Sequence, residues 1–482
     1  MKADKEKKKI PIENQCPYHK KCGGCSLQNM DYERQLKFKQ SVVNRLLSDF
    51  GKVGKIIGMK TPCHYRNKAQ ASFINLHGKL FSGIYQSKTG KTISVQGCMI
   101  QDEISNRIIS EITRLASSFK IKAYNPETKT GILRHVLIRR GFATNEIMAV
   151  IVLNEDKLKN ETSFINAILS HCPEITTIVI NISKSKRKLV LGNESRTVYG
   201  SGTITDILCG KKFIISPRSF YQVNPVQTQV LYETAISFAG LTGNETVIDA
   251  YCGIGTIGIA ASSTAKRVIG ADSNTDAIAD AEKNAKLNNV ENIEFYPCDA
   301  GDFMEDFVHS GEKADVLFMD PPRAGSDKKF LASAVTLSPE RIVYISCNPE
   351  TQRRDLFFLT KNGYKVKKIK PVDMFPFTAH VETVALLSKL DVDKHIDVEV
   401  TLDELDLTSA ESKATYAQIK EYILEKFDLK VSTLYIAQIK KKCGIVLREH
   451  YNKSKKEKQV IPQCTPEKEE AIMDALRHFK MI

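Results

Sequence analysis

Between Thr246 and Ser346 the chain repeats one unit: a short apolar segment, a turn, then a helical stretch. The apolar segments are Thr246 to Tyr251, Arg267 to Asp272, Ile293 to Asp299, Val316 to Asp320 and Ile342 to Ser346. Strands that alternate with helices cannot pair as hairpins. They must be joined by right-handed crossovers, which gives a doubly wound, mostly parallel sheet with helices on both faces. Ligands of such sheets bind where the strands end at their carboxyl edge. The residues that close these segments are therefore where the chemistry is to be sought.

The first segment runs into Gly253, Gly255 and Gly258, a G-x-G-x-x-G turn that opens a helix and lets backbone approach a ligand. Dinucleotide enzymes, methyltransferases and purely structural turns all use that spacing. Asp272 ends the second segment, placed to accept from both hydroxyls of a ribose, and Asp299 ends the third, where an adenine amino group could donate. Each could equally be a helix cap. Asp320, Pro321, Pro322 and Arg323 end the fourth, and two prolines force the chain out of the ladder. A pyrophosphate would be repelled by so acidic an edge, whereas a sulfonium suits it, so the expected cofactor is S-adenosylmethionine on a class I methyltransferase fold.

The fifth segment closes on Ser346, Cys347, Asn348 and Pro349. A thiol at a strand end before an Asn-Pro turn can reach into a cleft as a nucleophile, although cysteine is also a common core residue. The formal charge of +14 favours a polyanionic partner, most simply RNA or DNA. Twelve cysteines in 482 residues are too dilute for a disulfide framework, which points to the cytoplasm. No apolar run reaches membrane-spanning length, so no membrane role is expected.

Four regions are expected. Residues 1–15 form a basic arm with Lys2, Lys5, Lys7, Lys8 and Lys9; 16–205 an α+β central, RNA-binding domain; 206–390 the catalytic domain; and 391–482 an acidic linker followed by a basic helical module. In the central region the patterning predicts a helix over Tyr32 to Leu47. Strands are predicted over Leu80 to Gln86, His135 to Arg140, Ile147 to Leu153 and Thr176 to Ile182. Cys16, Cys22 and Cys25 form C-x5-C-x2-C, which Cys98 would complete through folding. Four thiolates suit an iron-sulfur cluster or Zn²⁺, and free buried thiols are the alternative.

With Phe220 to Pro225, Tyr251 to Gly255, Asp320 to Arg323, Ser346 to Pro349 and His380 to Thr383 in this order, the chain resembles the RNA uracil-5-methyltransferases over residues 16 to 390. The resemblance implies that Gln222, Tyr251, Gly253, Gly255, Thr256, Asp272, Asp299 and Asp320 hold S-adenosylmethionine. It makes Cys347 the nucleophile and Glu382 the base. Bland readings are a helix-entry cap for Gln222 and a solvated strand position for Glu382. The branch acting on 23S rRNA carries a 4Fe-4S cluster, so the cysteine quartet implies that cofactor, with zinc second, and 23S rRNA as substrate, with tRNA second. A monomer is expected. With about fifteen residues before Cys16, the β-barrel that usually precedes the cysteines in that branch is not expected here, and RNA contacts are expected to fall to Arg66, Lys68, Arg134, Arg139 and Arg140. The other candidates lie in the C-terminal module, in Lys440 to Lys442, Arg448 and Lys453 to Lys458 with Tyr435 and Tyr451. Rival functions are an amino-group methyltransferase, which would usually place an aromatic where Arg323 stands, and a non-catalytic ribosome-assembly factor.

Overall fold

The computed structural model describes residues 16–86, 89–184, 190–390, 416–427, 429, 431, 436, 439, 442–443 and 466–479. It divides into two compact units, Met1–Asp391 and Val392–Ile482. The lysine-rich arm, the acidic stretch after Leu390, Tyr435, Tyr451 and every basic residue of the C-terminal patch except Lys442 lie outside the described residues.

The first unit holds two seven-stranded sheets and a two-stranded one. The first is built from β1 (Lys68–Leu76), β2 (Lys79–Tyr85), β3 (Thr92–Ser94), β4 (Leu133–Arg140), β5 (Ile147–Leu153), β6 (Thr177–Ile182) and β7 (Glu194–Tyr199), in the order β3-β2-β1-β4-β5-β6-β7. β5 and β6 are buried at every position, as continuous apolar runs require. Helices Glu103–Ser118 and Glu161–His171 cover one face through Ile108, Ile112, Phe164 and Ile168. Leu137, Val150 and Val179 on the other face join a core shared with the hairpin of β8 (Ile204–Leu208) and β9 (Lys211–Ile215). Leu231 and Ala235 of the helix Pro225–Ala239 belong to that core too.

The second large sheet comprises β10 (Thr246–Ala250), β11 (Arg267–Ala271), β12 (Ile293–Tyr296), β13 (Val316–Met319), β14 (Arg341–Ser346), β15 (Tyr364–Val372) and β16 (Glu382–Lys389). Its order is β12-β11-β10-β13-β14-β16-β15, with β10 to β14 parallel and β16 antiparallel to both of its neighbours. Because β11 and β13 lie on opposite sides of β10, the carboxyl end of β10 is a topological switch point where a crevice opens. Every segment of the repeating unit is a strand.

The boundary at 205/206 does not separate two cores. Helix Tyr32–Leu47, capped by Asp31 accepting from the Arg34 amide at 2.8 Å, buries Val43 and Leu47 with Ile342, Tyr344 and Leu387 of the second sheet. Beyond it, Val53 and Ile57 bridge to Ile369 and Val372 of β15. Helical periodicity reveals an apolar face but not which sheet that face will cover.

In the C-terminal unit, helices Tyr416–Phe427 and Pro466–His478 bury Ile419 and Ile423 with Ile472 and Leu476. Among the described residues no helix is long and apolar enough to cross a membrane.

Candidate active site

The strand ends of the second sheet open onto one cavity of about 610 Å³, which Tyr251, Asp272, Asp299, Asp320, Cys347 and Glu382 all line. Gln222, Gly253 and Thr256 line it as well, and Gly255 does not. Gly255 serves the turn itself: its φ is +80°, and a Cβ there would stand 2.9 Å from the Phe295 ring. Tyr251 also has a positive φ, 66°, which turns the backbone sharply out of β10 and brings the Gly253 amide to Asp272. The Gly253 amide donates to one oxygen of Asp272 at 2.9 Å and the Asn274 amide to the other at 2.8 Å. The carboxylate is thereby fixed with lone pairs to spare for a ligand.

Asp299 does cap a helix, accepting from the Gly301 amide at 2.9 Å, and it faces the cavity at the same time. Gln222 is not the helix-entry cap. That position belongs to Asn224, which accepts from the Gln227 amide, while the Gln222 carbonyl accepts from the Asn67 amide side chain at 3.2 Å.

The opposite wall is assembled by strand register. β14 and β16 pair as far as Ser346 and Thr383, and just past that end of the ladder Cys347 stands near enough to Glu382 for the carboxylate to raise its thiol. Glu382 is 4 % exposed, which removes the solvated-strand reading. Burial pushes its carboxyl up to about 8, with Asp320 adding and Arg323 opposing. Burial also raises Asp320 to about 7. The Cys347 thiol is pushed up to about 11 by burial, then by Glu382 and Asp320, and Arg323 pulls it back through its charge and a hydrogen bond. Two acids and a thiol that burial holds toward their neutral forms make a cavity whose electrostatics improve when a cation enters.

Asp249 carries no role in the sequence reading. It is 1 % exposed at the end of β10, accepts from the Gly258 amide at 2.8 Å, and leaves Oδ1 without a protein partner. Burial raises it to about 7, with Asp320 and Asp272 adding to the rise. An aspartate inside the apolar run Val247-Ile248-Asp249-Ala250 was the available signal. Arg323, read only as a discriminator between methyltransferase types, lines the cavity and contacts His380 at 3.2 Å.

Cys98 folds back onto the N-terminal cysteine loop, where the Gln96 amide donates to the Tyr18 hydroxyl at 3.2 Å. Burial first, then the nearby Cys98, Cys16 and Cys22, push the Cys25 thiol up to about 12. Cys63, set aside as a packing residue, shares a small apolar cluster with Cys25 and Cys98. Among the described residues no group of three or more histidine, cysteine or acidic side chains could hold a metal ion as arranged.

Of the cations expected to meet RNA, several have structural work. Arg139 is 6 % exposed and donates to the Ser219 carbonyl, Arg140 pairs with Asp102 at 2.6 Å, and Arg134 donates to the Ser183 carbonyl at 2.7 Å. Arg66 stands 5.9 Å from the ring of Phe375, a cavity residue. Burial first, then Arg139 and Arg66, lower Lys68 to about 8.

Comparison with known proteins gives a consistent picture. A family model described as tRNA (Uracil-5-)-methyltransferase matches residues 31–390. An uncharacterized RNA methyltransferase of Halalkalibacterium halodurans is 42% identical over 381 residues, covering 78% of this chain and 83% of that one. One from Caldanaerobacter subterraneus subsp. tengcongensis is 40% identical over 389 residues, covering 80% and 86%. Among solved structures, the Pyrococcus abyssi tRNA (uracil-54, C5)-methyltransferase in complex with S-adenosyl-L-homocysteine superposes with a TM-score of 0.64 at 29% identity, covering 76% of this chain and 85% of that one.

Proposed function

The chain belongs to the tRNA (uracil-5-)-methyltransferase family, an S-adenosylmethionine-dependent RNA methyltransferase acting on uracil, and on that premise we propose that it methylates C5 of a particular uridine through covalent attack by Cys347. The observation that carries this reading is that Cys347 and Glu382, close enough to interact electrostatically, line one cavity with the acidic strand ends. The residues fit the cofactor: Asp272 would take the ribose hydroxyls, Asp299 the adenine amino group, and the turn from Tyr251 to Thr256 with Gln222 the remainder. Bound S-adenosylmethionine would supply an electrophilic methyl group on a cationic sulfur.

Uracil C5 is too weak a nucleophile to take that methyl unaided. Attack of the Cys347 sulfur on C6 forms a carbon-sulfur bond and moves the displaced electron pair into an enolate, whose C5 is electron-rich. Once C5 carries the methyl it still holds its hydrogen. Glu382 removes that proton, the electron pair re-forms the C5–C6 double bond, and the sulfur leaves. The target base must first leave its stack and enter the cavity, where Asp320 and the Pro321-Pro322 turn form part of the wall.

The substrate we favour is 23S rRNA, on the strength of the cysteine quartet, and the enzyme acts as a monomer in the cytoplasm. The Pyrococcus abyssi likeness supports tRNA as the second reading. The protein will convert uridine to 5-methyluridine in one of these RNAs, and mapping the product in 23S rRNA and tRNA from cells lacking the gene decides between them. Methylation of a base nitrogen instead would overturn the mechanism.

Cys16, Cys22, Cys25 and Cys98 would hold a 4Fe-4S cluster. The chemistry of the donor set supports it: four thiols, of which Cys25 is within electrostatic reach of the other three, although as arranged they do not yet converge on one point. Its part is structural, since methyl transfer moves no electrons between metal and substrate. Anaerobically purified protein will contain iron and sulfide, and Cys25→Ala will lose both; a colourless protein containing zinc alone favours the other metal.

A further inference from the structure

We propose that Lys39 is a positioning residue for methyl transfer, acting through Asp373 to hold the loop that delivers Glu382 and Phe375 to the cavity. The inference rests on the assignment of Glu382 as the base.

The loop in question joins β15 to β16. Val372 and Glu382 are the last registered pair of that hairpin, so residues 373–381 form its connection, and Phe375 within it lines the cavity together with Glu382. Hairpin ends are normally where a sheet is loosest. This one is pinned from outside. Lys39, on the helix Tyr32–Leu47, places its ammonium 2.5 Å from Asp373 Oδ1, with both side chains 0% exposed. The same ammonium donates to the Phe375 carbonyl at 2.9 Å. The Tyr32 hydroxyl donates to the second oxygen of Asp373 at 2.8 Å and itself accepts from the Met59 amide. One turn of helix away, the Gln35 side chain accepts from the Phe377 amide at 2.7 Å, and Phe377 sits at a φ of +66°.

A buried ion pair is a costly way to hold two elements together, because apolar packing would do as well for stability alone. Here it fixes direction. An ammonium bonded at once to a carboxylate and to a carbonyl two residues later sets the path of the backbone between them, which an apolar contact would leave free to slide. That path ends at Glu382. A base that must meet the C5 proton within hydrogen-bond reach gains from such fixation, and displacement by about 1 Å costs about 100-fold in rate. The cofactor-facing residues Asp272 and Asp299 lie on other strands and do not depend on this loop.

The test compares the full-length protein with Lys39→Met, which keeps the length of the side chain without its charge, and with Tyr32→Phe, which removes one hydrogen bond from Asp373 and spares the ion pair. Each is incubated with substrate RNA and S-adenosylmethionine, and the denaturation-resistant protein-RNA adduct is followed beside product. Lys39→Met is expected to form the adduct at close to the normal rate and to release 5-methyluridine about 100-fold more slowly, so that adduct accumulates; Tyr32→Phe is expected to show the same split to a smaller degree. A scaffold role alone would lower adduct and product together. If the two variants lose adduct and product in equal proportion, or turn over like the wild type, the inference is overturned while the assignment of Glu382 stands. If Lys39→Met cannot be obtained folded, the Tyr32→Phe split decides. Absence of any adduct from the wild-type protein overturns the covalent mechanism and this inference with it.

Discussion

Replacing Cys347 by alanine will abolish transfer of methyl to RNA, by at least about 1000-fold, and leave S-adenosylmethionine binding as it was. The two halves of that outcome follow from where the cavity residues stand. Tyr251, Asp272 and Asp299 follow β10, β11 and β12, on one side of the switch point, whereas Cys347 follows β14 on the other. Removing one sulfur from the second wall leaves the first intact. Without the sulfur, C5 has no source of electron density, and no oxygen nucleophile in the cavity is soft enough to replace it. The thiol is pushed up to about 11 by burial, Glu382 and Asp320, so it rests protonated and is activated only when positive charge gathers around it. Arg323 is one such charge. Equilibrium dialysis should show unchanged cofactor affinity, and RNA containing 5-fluorouridine should cross-link the wild type through residue 347 and the variant not at all. Full methylation by Cys347→Ala would end the covalent proposal.

The two walls of this cavity were not equally legible in the sequence. Tyr251, Asp272, Asp299, Asp320 and Cys347 could be found because a periodic pattern marks strand ends, and strand ends in a parallel sheet share one edge. Glu382 could be tied to Cys347 only by the order of motifs, since its strand is antiparallel and follows a hairpin whose register no local pattern specifies. Lys39 and Asp373 are 334 residues apart, and either read alone is a surface charge. Only folding shows that both are buried. Asp249 was passed over for a different reason: in an apolar strand a lone carboxylate reads as part of the Gly-rich motif, and its unpartnered oxygen is visible only in three dimensions. The arginines Arg134, Arg139 and Arg140 are a different case. Charge alone suggested RNA, and the structure spends much of their hydrogen bonding on carbonyls and on Asp102.

Glu382→Gln should stall the reaction after the methyl has moved. Glutamine keeps the size and the hydrogen-bonding outline of the side chain but cannot take a proton, so the methylated adduct on Cys347 should build up and product should fall at least about 100-fold. Adduct formation should not slow, because the Glu382 charge is the second cause that holds the Cys347 thiol up, after burial, and the substitution removes it. The pH profile carries an independent mark. Glu382 is raised to about 8, so below that pH it is mostly protonated and idle as a base, and it becomes competent as pH rises through about 8. The thiol titrates higher, near 11, so wild-type adduct formation should climb with one slope across this range, whereas release of product from the adduct should rise with pH up to a break near 8 and level off above it. The break near pH 8 belongs to Glu382 and should vanish in the glutamine variant, whose adduct formation should follow the single shallow slope of the thiol. A break that survives the substitution assigns it to another acid of the cavity, with Asp320, raised to about 7, next in line.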